Sequence, residues 1–197
     1  MDTIYNVIQS IVGGIAYTRA KSPIFERTAA QAVAASTAGV HAAVADTGVA
    51  QTGIGSNTNP PCARSITATI TGTNTDVKAV SVVVRGKRNG VAVTATLPAF
   101  TVDTLGTVES VVAMDEVTDW DSPAHDGTGV SVSLGWGDKL GLDFLLSRNT
   151  FDFAFLANAR EGTAPTVVVS ATNLESNHIK LNSALNGTAV AAYFRTP

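Results

Sequence analysis

Along residues 64–71 apolar and hydroxyl side chains alternate, with Ile66, Ala68 and Ile70 on one face and Thr67, Thr69 and Thr71 on the other. That period of two marks a half-buried strand. Comparable β-forming runs recur at 79–85, 91–97, 108–114, 130–134, 139–144, 150–156, 166–171, 179–185 and 190–194, separated by Gly, Asn, Asp and Pro. The runs 79–85 and 91–97 flank Lys87-Arg88-Asn89-Gly90, and Asn-Gly suits a tight hairpin turn with positive φ. Asn186-Gly187-Thr188 gives a second hairpin signal before the last strand. Short strands punctuated this often predict an all-β chain, a sandwich or jelly roll rather than alternating βαβ units.

The first residues follow a different period. Ile4, Ile8, Ile11, Val12 and Ile15 recur at spacings near four and three, which predicts a short amphipathic helix, ended by the cost of Gly13-Gly14. From Tyr17 to about Asn59 the chain is dominated by Ala, Thr, Val and Gly and has few bulky groups to bury, so it is expected to lie extended against its own domain or a neighbouring subunit. Asn59-Pro60-Pro61 is the sharpest boundary, because successive prolines restrict the backbone and remove donors. The organisation expected is an N-terminal arm over 1–59 and a β-sandwich or jelly-roll-like domain over 60–197. Ile4, Tyr5, Ile8 and Ile11, with Pro23, Ile24 and Phe25, are the arm's concentrated bulky groups and its candidate interface anchors; the alternative is that they close the domain's own core.

Composition changes the picture in two ways. Only 15% of residues are charged, below the roughly 25% of an ordinary soluble domain, so the surface is polar but weakly charged. The net charge of -3 gives no overall attraction to nucleic acid, whose non-specific binding depends on Lys and Arg. The single cysteine, Cys62, can form no internal disulfide and supports no thiolate metal cluster. The N-terminus lacks a basic signal region, and no uncharged apolar run reaches the roughly 18–20 residues of a membrane helix, so intracellular synthesis in soluble form is expected.

Candidate chemistry is sparse. Gly135-Trp136-Gly137-Asp138-Lys139-Leu140-Gly141 has neither dinucleotide-loop nor Walker spacing and is read as a sharp turn beside Trp136. Residues 115–127 hold five carboxylates (Asp115, Glu116, Asp119, Asp121 and Asp126) and His125. They are oxygen and nitrogen donors in principle, but in no established metal spacing, and the stretch is read as a solvated loop. Trp120, between two aspartates, is a further candidate interface anchor. His41, His125 and His178 lie in separate segments, and no serine sits in a G-x-S-x-G elbow. Arg85, Lys87 and Arg88 gather at the first hairpin, where a solvated turn is the simplest reading and contact with phosphate the alternative. No enzyme activity, no cofactor and no metal is expected.

Several of these segments together resemble a group of phage and prophage virion proteins. They are the Asn59-Pro-Pro-Cys-Ala-Arg64 strand entry, the Gly-punctuated hairpin from Val82 to the Ala99-Phe100 pair, the Gly135 to Leu142 segment, and the closing Leu185-Asn186-Gly187-Thr188 segment before an aromatic strand ending at Phe194. The similarity runs from about Asn59 to the C-terminus. It departs where charged residues replace a glycine in the first hairpin and where the acidic stretch 115–126 is longer. The resemblance implies a structural component of a tailed-phage particle, most directly a capsid decoration or cement protein in the virion. Such a protein binds at capsomer junctions, often as a trimer, with copies of itself and the major capsid protein or other virion subunits as partners, and with no membrane or specific nucleic acid. The alternatives are a tail tube or head–tail junction subunit, and a carbohydrate- or receptor-binding β-module using Trp120, Trp136 and Tyr193.

Overall fold

The computed structural model describes residues 22–195 in full and the backbone of 8–12 and 15–19. The described chain is all-β, with antiparallel pairing throughout and only two single-turn 3-10 helices, Asn74–Asp76 and Leu174–Ser176. In chain order the strands are β1 (Ile8–Val12), β2 (Ile15–Arg19), β3 (Ile24–Arg27), β4 (Ser36–Ala45), β5 (Gln51–Ile54), β6 (Arg64–Gly72), β7 (Val83–Arg88) and β8 (Val91–Thr96). They continue with β9 (Gly106–Met114), β10 (Glu116–Ser122), β11 (Val130–Gly141), β12 (Phe151–Leu156), β13 (Ala159–Arg160), β14 (Thr166–Val168), β15 (His178–Lys180) and β16 (Val190–Phe194). Among the described residues no helix is long and apolar enough to cross a membrane.

The strands form a large sheet in the order β14-β15-β11-β6-β9, with β4 also paired to β11, and two four-stranded sheets, β5-β10-β7-β8 and β13-β12-β16-β3. β1 and β2 pair with each other as a separate two-stranded ribbon. Alternation places the core. Ile66, Ala68 and Ile70 of β6 meet Val84, Trp120 and Leu134 in a first core between the large sheet and the β5-β10-β7-β8 sheet. A second core beneath β13-β12-β16-β3 gathers Phe25, Leu140, Leu142, Ala154, Ile179 and Phe194. Each fully buried Leu, Ile or Phe contributes about 1.5–3 kcal/mol relative to exposure.

Several sequence expectations hold locally. The β7–β8 hairpin turns at Asn89 (φ 49°) and Gly90 (φ 79°), the paired positive φ values of the tight turn that Asn-Gly favours. β6 runs over the alternating stretch as read from sequence.

Others are corrected. The short helix expected at the N-terminus is not borne out, because 8–12 and 15–19 are strands paired across Val12 and Ile15; Ile4 and Tyr5 lie outside the described residues. The expected turn over residues 135–141 is instead the second half of β11, a strand of 12 residues that carries Leu134 into the first core and Leu140 into the second. The glycines there answer a packing constraint and not a turn. A Cβ on Gly135 would collide with the carbonyl oxygen of Ser36 on β4, and one on Gly137 with the Glu109 carboxylate on β9. The acidic stretch is no solvated loop, since residues 116–122 form β10 in the middle of a sheet. Nor is there a closing hairpin: β15 pairs with β11 and β14, whereas β16 pairs with β12 and β3. The turn at Gly187 (φ 78°) carries the chain between sheets.

Residues 22–59 run as three strands, with a turn closed on the Thr28 carbonyl between the first two, and the strands are shared among all three large units: β3 joins β16, β4 joins β11 and β5 joins β10. Their small side chains suit these close approaches. Gly39 lies directly beneath the Trp136 ring, leaving no room for a Cβ.

The glycine argument gives a paired expectation. Gly135→Ala should destabilise the protein by about 1–3 kcal/mol or more through overpacking against β4, whereas Gly162→Ala, with open space around it, should change stability by less than about 0.5 kcal/mol. Urea unfolding of the two variants beside the wild type checks this.

Candidate functional site

Charged groups converge where the three large sheets meet. Arg27 of β3 is 7% exposed and Arg88, the last residue of β7, is 3% exposed. A buried guanidinium is costly unless it is paired and its donors are satisfied. Arg27 donates through both terminal nitrogens to the Asp143 carboxylate, at 2.7 and 2.8 Å, and to the Gly141 carbonyl at 2.7 Å. Arg88 donates to the Leu142 carbonyl at 2.7 Å and to Asp143 at 3.3 Å, and pairs with Asp115 at 3.1 Å. Asp143 lies two residues past the end of β11, so one carboxylate ties a segment from each sheet. Burial works to raise its pKa, but the hydrogen bonds and charges of Arg27 and Arg88 outweigh it, and the carboxyl titrates below its usual range. A third guanidinium, Arg64 of β6, is fully buried and donates to the carbonyls of Gly137 (2.8 Å) and Val33 (2.7 Å).

This clamp borders a cleft of about 730 Å³ that is also lined by Ile24, Gln31, Cys62 and Phe144. Burial pushes the Cys62 thiol up against the opposing pull of Arg27 and Arg64, so at neutral pH it is a thiol and a poor nucleophile. The clamp's charges are spent on one another and on backbone carbonyls. That chemistry fastens sheets together.

The carboxylates of the acidic stretch are spent in the same way. Asp119 and Asp121 on β10 flank Arg85 on β7, at 2.6 and 2.5 Å, and Glu116 pairs with Lys87 at 2.6 Å. Asp121 also accepts the Gly53 amide of edge strand β5 at 2.9 Å. The two charged clusters singled out in the sequence are therefore halves of one cross-strand ladder, in which opposite charges on neighbouring strands face each other. Among the described residues no group of three His, Cys, Asp or Glu side chains is arranged to hold a metal ion.

The histidines are dispersed. His41 packs edge-on to Trp120 at 5.6 Å. His125 is buried, its Nδ1 accepting the Lys78 amide at 3.2 Å while its own amide donates to Asp46 at 2.7 Å. Burial depresses its pKa, against the charges of Asp46 and Asp126. His178 is depressed by burial and by Lys139, with Glu109 opposing.

Of the candidate interface anchors, Phe25 and Trp120 are 1% and 0% exposed. Both are core residues and present no surface, because β3 and β10 turn them inward. Ile8 and Ile11 fall on β1, Pro23 is half-buried, and Ile24 is 44% exposed. Trp136 is half-buried and donates its indole N–H to the Ala34 carbonyl at 3.1 Å.

Ile24 borders a feature the sequence reading missed. β12 and β16 turn Ala154, Leu156, Val190, Ala192 and Phe194 inward, so Phe153, Phe155 and Tyr193 lie on the outer face. Phe153 stacks on Tyr193 with centroids 4.6 Å apart, and Phe155 meets both rings edge-on. All three are half-buried, Tyr193 is in register with Ile24, and Arg160 caps Phe153 at 5.4 Å. The signal was present in Phe151-Asp152-Phe153-Ala154-Phe155, where aromatics alternate without a polar face, but nothing in the spacing says which side is covered.

Comparison with protein-family models, curated proteins and solved structures finds no match to this chain.

The site yields two expectations. Asp143→Asn leaves two buried guanidiniums poorly compensated and should cost on the order of 3 kcal/mol, the low end for breaking a buried pair because Asp143 itself stays half exposed; chemical denaturation measures it. For His125 and His178, a folded pKa below the ordinary 6.5 means that the unfolded chain binds protons more readily. Their stabilisation is full above about pH 6.5 and is lost as pH falls below it. His178→Gln should shrink the drop in urea midpoint between about pH 7.5 and pH 5.5.

Proposed function

We propose that this chain is a structural subunit of a tailed-bacteriophage particle, a capsid decoration protein that stabilises the head by binding at capsomer junctions as a homo-oligomer, with a trimer favoured. The phage assignment rests on the sequence resemblance from Asn59 to the C-terminus. The observation that carries the assembly reading is the outward aromatic face of Phe153, Phe155 and Tyr193 bordered by Ile24, on a chain whose buried charges fasten its own sheets. A body that turns a cluster of half-buried aromatics outward from a sheet suits a protein that works through contact.

In this reading the jelly-roll-like sandwich body resists deformation, and many contacts of modest strength act together against the outward pressure of a packed head. The chemistry required is mechanical, so no catalytic group or cofactor takes part. A tail tube or head–tail junction subunit would use the same features in a ring of few copies. Copy number separates the two. Quantitative mass spectrometry of purified particles from the phage or prophage that encodes the chain should find it in numbers comparable to the major capsid protein. A few copies per particle would move the assignment to a junction, and its absence from particles would overturn the reading.

A further inference from the structure

The loop between β10 and β11 closes on a histidine whose surroundings have no place for a second ring proton. Residues 123–129 form this loop, and His125 is the only side chain among them that is buried. Its ring lies 5.8 Å from that of Phe100 in the first core. Nδ1 faces the backbone amide of Lys78, 3.2 Å away. A backbone N–H only donates, so Nδ1 is the bare nitrogen and the ring proton sits on Nε2. Nε2 is itself buried and meets no acceptor among the described residues. A proton added at Nδ1 sets one donor against another and leaves a buried cation with neither N–H satisfied, a cost the ring escapes by moving into water.

Around this ring the loop is fastened to two other turns. The His125 amide donates to Asp46, just past β4, at 2.7 Å; the Asp126 amide donates to the Asp76 carbonyl at 3.0 Å, and the Gly129 amide to the Asp76 carboxylate at 2.8 Å. The charged groups that act on the ring from these elements are Asp46, Asp126 and Lys78. The segment after β8 adds Phe100, and its one titratable side chain, Asp103, is exposed. Asp46 and Asp126 favour a charged ring, but Asp46 already accepts the amides of His125 and Gly48, and Asp126 is exposed and pairs with Lys78 at 3.5 Å. Burial and Lys78 oppose the charge, and the ring titrates below the usual histidine range.

We propose that His125 is an acid-released latch: protonation turns its ring out of the site and frees residues 123–129 from the Asn74–Asp76 turn and from Asp46 while the sheets stay folded. The strand beyond the loop does not need the latch, since β11 is held by β6 and β4 on its two sides. The inference concerns a local opening and is independent of the phage assignment.

Two measurements on the full-length protein test it. Nitrogen NMR of the histidine rings above neutral pH should show His125 as the Nε2–H tautomer. Amide hydrogen exchange, corrected for the intrinsic pH dependence of exchange, should show the Lys78, Asp126 and Gly129 amides losing protection by up to about tenfold between about pH 7.5 and about pH 5.5, because a released ring of ordinary pKa is mostly charged at the lower pH. Amides in the middle of β6 and β11 should keep theirs. His125→Asn, whose side-chain oxygen can stand in for Nδ1 as acceptor but does not titrate, should make the loop's protection flat across the same range. The Nδ1–H tautomer in the wild type, loop protection that does not change with pH, or a loss shared equally by β6 and β11 would overturn the proposal. So would a His125→Asn protein that keeps the wild-type pH dependence, which would place the titration on Asp46 or Asp126. Should that variant fail to fold, the wild-type tautomer and exchange profile decide by themselves.

Discussion

The Arg27–Asp143–Arg88 clamp is the interaction on which the rest of the structure depends. Three sheets with two separate cores have no geometric reason to hold a fixed relation, because apolar packing is non-directional. A carboxylate shared by two buried guanidiniums is directional, and each guanidinium also donates to a backbone carbonyl at the end of β11. Burying two positive charges is costly, so the arrangement is less a source of net stability than of uniqueness: a shifted sheet would leave a charge unpaired in the interior.

β11 supplies the other half of that fixity. Its 12 residues cross from one core to the other, and the crossing demands glycine at 135, where the β4 backbone lies against it, while at 137 the Glu109 and Ser65 side chains fill the space a Cβ would take. Arg64 stitches the same crossing by donating to Gly137, so close backbone approach and a buried charge meet at one point. Small residues in 36–45 let β4 lie against β11, which makes that stretch an integral strand of the large sheet.

Much of the charge near the sheet junctions is committed to pairs between strands. The Arg85–Asp119–Asp121 ladder neutralises one sheet face, whereas the outer face of β12 and β16 is left aromatic. The cleft beside the clamp is bordered by Arg27, Arg88, Asp115 and Asp143, which pair with one another, and by Glu26.

Local sequence determined the strands whose pattern is set by neighbours in the chain. The alternation of 64–71 is β6, and Asn89-Gly90 is the β7–β8 turn, because period and positive φ are properties of a few consecutive residues. What depended on distant residues was not legible. Gly135 and Gly137 read as a turn, since their crowding comes from Ser36 and Glu109, far away in the chain. The acidic stretch read as a loop because the cations that neutralise it sit on β7, some thirty residues earlier. Trp120 read as an interface anchor and Phe25 as either an anchor or part of the domain's own core, and their burial was decided by sheets that close over β10 and β3 only in three dimensions. Sequence by itself determined an all-β chain with one secure hairpin; the tertiary structure alone decided which charges pair, which faces close and which aromatics turn outward, because burial belongs to the assembled sheets and not to any one of them.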